Sequence, residues 1–424
     1  MLDIELIRNK PDLVKAGMVK RNVDPLLVDK TRSQDERRRQ LLVEVETLKA
    51  ERNAASKAIG AMQDKTAREE MIASMRSVGE KIDALDAELS EVDGSLNELL
   101  AILPNIPEER VPAGGEEANI VAKEWGEKPK FNFKPQPHWD LGPQLGIINF
   151  DQGVALTGSR FYVLSGPGAR LQRALIAWML DLHIRQGYTE KYTPFMVRSE
   201  TLYGAGQLPR FKDNLYKDSE EDLYMIPTAE VPLTGLHMGQ ILEEAELPKR
   251  YTAYSPCFRR EKMSAGRDVR GIKRGHQFDK VEMYKFCKPE DSVAEFESMV
   301  ADAEATCQAL GLPYRLLLKA AGDTSEAAHI SYDIEVWAAG CGEWLEVSSI
   351  SRVGDYQARR AAIRYRPQGE KGTRYVHTIN GSGLGLPRTL IAVLENNQQP
   401  DGSVRIPTVL LPWMGGVDTI TPQS

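Results

Sequence analysis

Cysteine is scarce in this 424-residue chain, and its four cysteines are widely separated. Cys257, Cys287, Cys307 and Cys341 match no zinc-binding or redox spacing, so they suit reduced thiols better than a disulfide framework. The six histidines are scattered too, and no two have the spacing of metal ligands. These shortages argue against a disulfide-rich secreted protein, and we expect a cytoplasmic one.

Long apolar runs are also missing, since none reaches the ~20 residues that a membrane helix needs. Met1–Glu5 carries acids early, so we expect no signal peptide. The net charge of -7 argues against a protein that coats nucleic acid with its whole surface, but it is compatible with a local basic footprint. No Gly-x-Gly-x-x-Gly follows a predicted strand, which argues against a Rossmann nucleotide site.

The first hundred residues carry two apolar stripes with the four- and three-residue steps of a coiled coil. The first stripe is Leu41, Val45, Leu48, Ala55, Ile59 and Met62. The second is Met71, Met75, Val78, Ile82, Leu85, Leu89, Val92, Leu96, Leu99 and Leu103. The polar break at 63–66 predicts an antiparallel helical hairpin, and Pro104 ends its second helix. We therefore predict an N-terminal domain over residues 1–103.

Charge is unevenly distributed along this hairpin. The basic residues on or near its tip are Lys49, Arg52, Lys57, Lys65, Arg68 and Arg76. The acids nearer its base are Asp83, Asp86, Glu88, Glu91 and Asp93. A basic tip would suit a phosphate backbone, whereas periodicity alone favours a dimerisation coiled coil with solvated charged faces.

Residues 104–145 are rich in proline, glycine and charge, so we predict a linker. Beyond it, the predicted helices are 171–184, 292–310 and 389–395. The predicted strands are 187–196, 223–226, 251–258, 277–286, 333–336 and 344–349. Strands outnumber helices and often follow one another closely, which predicts an antiparallel sheet flanked by helices, an α+β domain over residues 146–424.

Two short segments carry the strongest chemical signal. Phe258-Arg259-Arg260-Glu261 resumes at Gly275-His276-Gln277-Phe278, and Asn380–Arg388 leads into an apolar helical run. Arginine binds phosphate or carboxylate oxygens two at a time and stays charged near neutrality. An arginine at each end of a triphosphate, with an aromatic ring for adenine, would hold ATP bent for attack at its α-phosphorus. The segments therefore predict adenylate formation.

These two segments resemble the second and third motifs of class II aminoacyl-tRNA synthetases. The strand ending at Thr193-Pro194-Phe195 resembles the first motif, which lies at the dimer interface in that family. Ile226–Glu230 and Gly342–Ser349 resemble stretches specific to the seryl members. Together with the hairpin, they make the chain similar to bacterial-type seryl-tRNA synthetases over nearly its whole length.

The resemblance implies a homodimeric ligase with a class II synthetase-like sheet. Such an enzyme activates L-serine with ATP and Mg²⁺, then transfers serine to the 3′-terminal adenosine of tRNA(Ser), and of tRNA(Sec) where present. The implied serine contacts are Thr228, Ala229, Glu230, Glu282, Asn380 and Ser382. Glu282 has apolar neighbours in a predicted strand, where an acid is costly unless it has a partner. A pocket that hydrogen-bonds a hydroxyl rejects alanine, whereas threonine must be excluded sterically.

The resemblance also assigns the ATP contacts. They are Arg259, Arg260, Glu261, Phe278, Glu346, Val347, Ser348, Ser349 and Arg388. Arg259 would bridge the α-phosphate and the serine carboxylate, and Glu346 and Ser349 would hold the metal ion. Arg259, Glu282 and Arg388 are the predicted catalytic residues. Serine's carboxylate is already ionised, so no general base is assigned, and His276 is interpreted as a structural histidine.

The chain departs from the usual family pattern in two places. Lys262 and Met263 stand where small residues are commoner, and Pro387 precedes Arg388 where glycine is frequent. The loop also carries Lys262, Arg267, Arg270, Lys273 and Arg274, which would suit a tRNA acceptor end or a solvated surface.

Three alternative functions share part of this pattern. A related ligase that loads a carrier protein would lack the long hairpin. A non-catalytic tRNA-binding paralogue would have lost Arg259, Glu261 or Arg388, all of which are present. A specialised duplicate serving secondary metabolism would keep every motif, and the sequence leaves that possibility open.

Overall fold

The computed structural model describes residues 1–262 and 270–422, so Met263 and Arg267 of the basic loop lie outside the described residues. The chain divides into two compact units, residues 2–104 and residues 105–424, and the second also includes Met1. No helix among the described residues is long and apolar enough to cross a membrane.

The described residues form thirteen α-helices. They are α1 (Ile4–Asn9), α2 (Pro11–Lys20), α3 (Leu26–Ala61), α4 (Lys65–Ile102), α5 (His138–Gln144), α6 (Phe150–Thr157), α7 (Gly166–Arg185), α8 (Ser199–Gly204), α9 (Glu230–Gly235), α10 (Ser292–Ala309), α11 (Tyr356–Arg360), α12 (Leu386–Asn396) and α13 (Leu411–Met414).

The same part of the chain forms seventeen strands. They are β1 (Ile120–Trp125), β2 (Ile148–Asn149), β3 (Val163–Leu164), β4 (Thr189–Glu190), β5 (Met196–Arg198), β6 (Leu223–Met225), β7 (Ile241–Glu243), β8 (Lys249–Phe258), β9 (Gln277–Cys287), β10 (Tyr314–Leu318), β11 (Ile330–Ala338), β12 (Glu343–Gly354), β13 (Arg364–Arg366), β14 (Arg374–Tyr375), β15 (His377–Gly385), β16 (Val404–Arg405) and β17 (Thr419–Ile420).

The smaller unit contains the predicted helical hairpin, formed by α3 and α4. The side chain of Asp64 accepts hydrogen bonds from the backbone N–H groups of Thr66 and Ala67, which caps the first turn of α4. Leu41 and Val45 on α3 are buried, and the buried residues of α4 are Ile82, Val92, Leu96 and Leu100. The coiled-coil stripe therefore forms the seam of an antiparallel pair, as predicted.

Ion pairs connect the two helices along this seam. Arg37 pairs with Glu88, and Lys49 Nζ lies 2.9 Å from an oxygen of Asp86. The pairing of a residue early in α3 with one late in α4 is what an antiparallel hairpin requires. Because these side chains remain about 40% exposed, each pair contributes at most about 1 kcal/mol.

The larger unit is built on an eight-stranded sheet in the order β1-β10-β11-β12-β15-β9-β8-β4. Its neighbouring strands are antiparallel except for β4 and β8, which are parallel. The apolar faces of α7, α10 and α12 pack against the sheet and contribute to its main core. The predicted antiparallel sheet flanked by helices is confirmed.

Two segments differ from their sequence-based interpretation. Residues 104–145, interpreted as a linker, contain α5 and also β1, which pairs with β10 at the edge of the sheet. All six residues of β1 are exposed, so the strand lacks the apolar alternation that would reveal it. The predicted strand 187–196 is divided between β4 and β5, and Pro194, which has no N–H to donate, lies between them.

Candidate active site

A cavity of about 580 Å³ opens beside the ends of β8, β9, β12 and β15 and the start of α12. It brings together residues from the two proposed ATP-binding segments and from the two segments that resemble seryl-specific stretches. The predicted site residues on its wall are Thr228, Glu230, Arg259, Glu261, Phe278, Glu282, Glu346, Val347, Ser349, Asn380, Ser382 and Arg388. Segments distant in sequence therefore converge because adjacent strands of one sheet carry them.

Strand alternation explains why β9 contributes several of these side chains. Phe278, Lys280 and Glu282 are two residues apart and line the cavity together. Ser382 on β15 pairs directly with Glu282, so the two residues are neighbours across the ladder. The sequence pattern predicts Glu282 in this position, and the same alternation applies to Lys280, which the sequence analysis missed.

A β-bulge explains how β12 presents Glu346 and Ser349 to the same cavity. Residues three apart on a regular strand point to opposite faces. The pairing shifts between Ser348, opposite Ile334, and Glu346, opposite Glu335, which leaves Val347 as the extra residue. The bulge re-aims the strand, so that both Glu346 and Ser349 reach the cavity.

A buried polar network forms one end of the cavity. Glu282 is only 1% exposed, and its Oε2 accepts a hydrogen bond of 3.1 Å from Thr228 Oγ1. Lys280 Nζ donates to Thr228 Oγ1 at 2.7 Å and forms an ion pair with Glu282. A buried carboxylate needs such partners because desolvation of an unpaired charge is costly.

Glu230, the second acid at this end, begins α9. Gln357 donates to Glu230 Oε1 at 2.6 Å, and Gln357 Oε1 accepts hydrogen bonds from Tyr284 and Thr378. Burial, and then the charge of Glu282, raises the pKa of Glu230 to about 7, while Lys280 opposes the shift. The pocket thus holds one carboxyl group that titrates near neutral pH.

Arg259 lines the same cavity, and it lies close enough to this acidic end for its charge to act on Glu230. Its Nε donates to the Pro227 carbonyl at 3.2 Å, and its guanidinium lies 5.0 Å from the centre of the Phe278 ring. The backbone N–H of Arg259 donates to the His276 carbonyl at 2.8 Å. The ring of His276 returns a hydrogen bond from Nδ1 to the Arg259 carbonyl at 3.0 Å, so this histidine is engaged with the backbone.

Further charged groups, Glu261, Arg274 and Arg388, also line the cavity. Arg274 donates to Glu261 Oε2 at 3.1 Å. Arg388, two residues into α12, donates from Nε to the Lys273 carbonyl at 3.2 Å and from a terminal nitrogen to the Glu346 carbonyl at 3.0 Å. These contacts fix the direction of the Arg388 guanidinium and join α12 to β12.

Three predicted site residues lie off the cavity wall. Ala229 is fully buried in an apolar cluster, and Ser348 donates to the Ser382 carbonyl at 2.6 Å. Arg260 donates to the Leu215 carbonyl at 2.9 Å and lies over the Tyr216 ring. Their side chains therefore support the wall from behind.

The structure adds residues that sequence reasoning did not assign to the pocket. They are Gln207, Phe211, Asn214, Lys273, Arg274 and Lys280, among others on the wall. Gln207, Phe211 and Asn214 come from the segment between α8 and β6, whose one-turn 3₁₀-helix (Lys212–Asn214) is too short for periodicity to predict orientation. For Lys273 and Arg274, the sequence predicts only membership of a basic loop.

The donor set on β12 suits a hard cation, because both Glu346 and Ser349 offer oxygen ligands. Asp333 pairs with Ser349 across the ladder, and its Oδ2 lies 2.8 Å from Lys319 Nζ. Burial, and then the charge of Glu346, raises the pKa of Asp333 to about 7, while Lys319 opposes the shift. The residues present therefore fit Mg²⁺ better than a metal that prefers sulfur or imidazole.

Comparison with protein families identifies this architecture. Residues 211–397 match the tRNA synthetase class II core domain (G, H, P, S and T). Residues 1–107 match the seryl-tRNA synthetase N-terminal domain. The larger unit thus carries a class II aminoacyl-tRNA synthetase core. Together with the N-terminal match, this core indicates the seryl members of that class.

Full-length relatives lead to the same family. The chain is 61% identical to the serine–tRNA ligase of Roseiflexus sp. (strain RS-1) over 99% of both chains, and 53% identical to that of Chloroflexus aurantiacus over 100% of both. The crystal structure of seryl-tRNA synthetase from Pyrococcus horikoshii complexed with ATP is 38% identical, covers 100% of both chains and gives a TM-score of 0.95. The chain belongs to the seryl-tRNA synthetase family, which confirms the sequence-based resemblance.

Proposed function

We propose that this protein is a serine–tRNA ligase that forms seryl-adenylate from L-serine and ATP. It then transfers serine to the 3′-terminal adenosine of tRNA(Ser), and of tRNA(Sec) where that tRNA is present. The observation that carries the proposal is the convergence of an acidic, hydrogen-bonding end with Arg259 and Arg388 in one cavity. Serine supplies the ammonium for the acidic end, and ATP supplies the phosphates for the arginines.

Serine binds at the end formed by Thr228, Glu230 and Glu282. The two carboxyl groups receive its ammonium, and Thr228 helps to orient that group. Ser382 and Asn380 lie on β15 beside Glu282, where they hydrogen-bond the serine hydroxyl. Alanine would leave these polar groups unpaired, so the pocket discriminates against it. Ala229 shapes this wall through packing.

Arg259 binds the serine carboxylate and the α-phosphate at once. A carboxylate oxygen of serine attacks the α-phosphorus, the bond from that phosphorus to the bridging oxygen breaks, and pyrophosphate leaves with the electron pair. Arg259 brings the two anions together and stabilises the charge that develops at phosphorus. Because the attacking carboxylate is already ionised, the step needs no general base.

The nucleotide is held by the other end of the cavity. Phe278 stacks on adenine, Glu261 accepts a hydrogen bond from its amino group, and Arg388 binds the γ-phosphate. Val347 lines the same wall, while Arg260 and Ser348 support it. Glu346 and Ser349 are the residues that would hold Mg²⁺, which would neutralise phosphate charge when bound.

The smaller unit binds the body of the tRNA in this proposal. Lys57, Lys65, Arg68 and Arg76 are exposed near the turn between α3 and α4, where a phosphate backbone would reach them. We assign tRNA binding to residues 1–103 and catalysis to 146–424, while residues 104–145 supply β1 and α5 to the larger unit.

We also propose a cytoplasmic homodimer. Tyr192 beside the first-motif segment is 82% exposed, and Leu156 on α6 is 77% exposed. Large apolar side chains at this exposure are what a subunit interface would cover.

The test is transfer of labelled serine to unfractionated bacterial tRNA with ATP and Mg²⁺, alongside serine-dependent pyrophosphate exchange. We expect serine on tRNA, with threonine and alanine far slower. Arg259→Lys should lower both rates by about 100-fold because lysine cannot bridge two anions as a planar fork. Arg366→Lys, at an exposed arginine on β13 that does not line the cavity, is the matched control and should remain within a few-fold of wild type.

Two results would contradict the proposal. Exchange without transfer to tRNA would indicate a different acceptor, such as a carrier protein. Absence of serine-dependent exchange would exclude serine as the substrate.

A further inference from the structure

A buried cluster outside the cavity joins three segments, one of which, α12, carries the proposed nucleotide contact Arg388. His138, Cys341 and Glu395 come from α5, the turn between β11 and β12, and α12. Among the described residues, their potential ligand atoms lie within 4.8 Å of one another. The side chains of His138 and Glu395 are both fully buried. Two explanations are possible, a metal site or a hydrogen-bonded latch.

The hydrogen bonds decide between the two explanations. Ile272 N–H donates to His138 Nε2 at 3.1 Å, so the neutral ring carries its proton on Nδ1. That Nδ1 lies 2.8 Å from Glu395 Oε1 and donates to it. A metal ion on Nδ1 would move the ring proton to Nε2, where it would face the Ile272 N–H. The cluster therefore fits a latch and not a metal centre.

Glu395 is the anchor of this latch. Its Oε1 also accepts from the His138 backbone N–H at 2.8 Å and from Cys341 Sγ at 3.1 Å. Its Oε2 accepts from the Cys341 backbone N–H at 2.8 Å. Burial alone would raise the pKa of Glu395, but the hydrogen bonds from His138 and Cys341 outweigh burial and lower it. The anchor is thus a charged acceptor that fixes the His138 ring.

The other side of the His138 ring holds the return arm, which we define as residues 270–274. Gly271 has φ of +72°, and a Cβ there would lie 2.0 Å from His138 Nε2. Trp139 supports the same arm, since the Arg270 guanidinium lies 4.6 Å from its ring centre. The first two residues of α5 therefore both contact the return arm, His138 through a hydrogen bond and Trp139 through a cation–π contact.

The return arm connects the latch to the nucleotide end of the cavity. The Lys273 carbonyl accepts the hydrogen bond from Arg388 Nε, and Arg274 holds Glu261. The serine end depends on other residues, because Gln357 holds Glu230 and Lys280 holds Glu282. Displacement of the arm would therefore disturb ATP binding more than serine binding.

We propose that His138, oriented by Glu395, is a positioning residue that fixes the return arm through Ile272 and thereby aligns Arg388 and Glu261 for ATP. This role rests on the proposed function for its kinetic consequence. The hydrogen bond itself is independent of the reaction, so it can be tested separately.

Two amide substitutions distinguish the hydrogen bond at Nδ1 of the His138 ring from the one at Nε2. His138→Asn keeps a donor near Nδ1 but loses the acceptor for Ile272, whereas His138→Gln keeps an acceptor near Nε2. We expect His138→Asn to raise the KM for ATP about five- to tenfold, as loss of one net hydrogen bond allows, with the KM for serine within about twofold of wild type. His138→Gln should retain most of the ATP affinity.

Hydrogen exchange gives a readout that needs no substrate. The Ile272 amide should exchange faster in His138→Asn than in wild type or His138→Gln, measured on the full chain by mass spectrometry. Cys341→Ala is the control for the rest of the cluster. Its thiol contacts Glu395 and the Nδ1 side of His138, so its loss leaves Nε2 in place as the acceptor for the Ile272 amide, and the KM for ATP should stay within about twofold. If wild type shows no serine-dependent exchange of pyrophosphate, the function fails while this amide result still tests the latch.

Several outcomes would overturn the inference. One is that both His138 variants change the KM for ATP and the KM for serine equally. Another is that the Ile272 amide hydrogen exchanges at the wild-type rate in His138→Asn. Stoichiometric metal in the wild-type protein that disappears in Cys341→Ala would support the metal site instead. If His138→Asn does not fold, Gly271→Ala tests the latch from the arm, since its Cβ would displace the ring contact. A wild-type KM for ATP in Gly271→Ala would then contradict the latch.

Discussion

The carboxyl group of Glu230 illustrates how a single residue can link the fold to the pH dependence of binding. Its partner Gln357 is fully buried and is itself held by Tyr284 and Thr378, so Glu230 has little freedom to move toward solvent. Glu282 lies near enough to raise its pKa. The pocket therefore contains two acids with different roles, an ion-paired Glu282 and a Glu230 that titrates near pH 7.

We predict that serine binding weakens as the pH falls through this pKa. The serine ammonium favours ionised Glu230, so binding to the protonated form must expel a proton, and that cost grows below about pH 7. The KM for serine should rise up to about tenfold from about pH 8 to pH 6, since one pH unit below the pKa corresponds to one factor of ten. The KM for serine at each pH is measured by steady-state pyrophosphate exchange.

Glu230→Gln is the control for this dependence. It removes the titrating group, so the KM for serine should be higher than in wild type but nearly flat over the same pH range. The KM for ATP should depend on pH less than the KM for serine, because Arg259 is the only proposed nucleotide contact among the groups that shift the pKa of Glu230. A flat serine profile in the wild-type enzyme would rule out Glu230 as the titrating group.

At the scale of elements, the bulge in β12 has a specific consequence. It places Glu346 on the cavity wall beside Val347 and Ser349, whereas Glu335 on the paired strand forms an ion pair with Arg315. We predict that Glu346→Gln raises the Mg²⁺ concentration for half-maximal pyrophosphate exchange about tenfold, because a charged oxygen ligand is removed.

Glu335→Gln is the matched control for Glu346→Gln. It removes the same charge from the residue that pairs with Glu346 across the ladder, but Glu335 does not line the cavity. Its Mg²⁺ titration should stay within about twofold of wild type, because the partly buried Arg315–Glu335 ion pair does not line the cavity. Equal shifts in the two variants would indicate a general charge effect and not a ligand at Glu346.

The elements also show which parts of the structure are accessible from sequence. Long periodic segments such as α7 and α10, and strands such as β8 and β9, can be predicted because one face of each is apolar. The edge strand β1 escapes prediction because none of its residues is buried. Its hydrogen bonds to β10 depend on a partner almost two hundred residues away, which local patterning does not reveal.

The candidate site likewise contains residues that the sequence predicts and residues whose positions depend on the tertiary structure. Arg259, Phe278 and Glu282 can be assigned because they stand in dense motifs on regular strands. The joint approach of Glu346 and Ser349 depends on a bulge, and the contact of His138 with Ile272 depends on tertiary packing. Lys280 could have been predicted, because it lies two residues before Glu282 on the same face of β9.

At the scale of the whole molecule, the two proposed reaction steps depend on different parts of the protein. Adenylate formation needs only the cavity in the larger unit, whereas aminoacylation also needs tRNA. Changes near the α3–α4 turn should therefore separate the two activities. The proposed contacts there are electrostatic, so they should also depend on salt.

We predict that the full-length triple variant Lys57→Glu, Lys65→Glu and Arg68→Glu lowers kcat/KM for tRNA by at least about tenfold, because removing cations that neutralise phosphates weakens binding. Serine-dependent pyrophosphate exchange should stay at the wild-type rate. The control variant Lys10→Glu, Lys30→Glu and Arg32→Glu makes the same charge change at exposed residues far along the chain from the turn. Its kcat/KM for tRNA should fall much less.

The salt dependence separates local binding from net charge. If the three basic residues at the turn bind phosphates, the plot of log kcat/KM against log salt should be shallower in the tip variant, by about 0.7 to 0.9 for each phosphate that is no longer neutralised. The control variant should keep the wild-type slope. Equal decreases in kcat/KM for tRNA and equal salt slopes in the two variants would mean that net charge, and not the hairpin tip, governs tRNA binding. Dimerisation would then be the better explanation for the coiled coil.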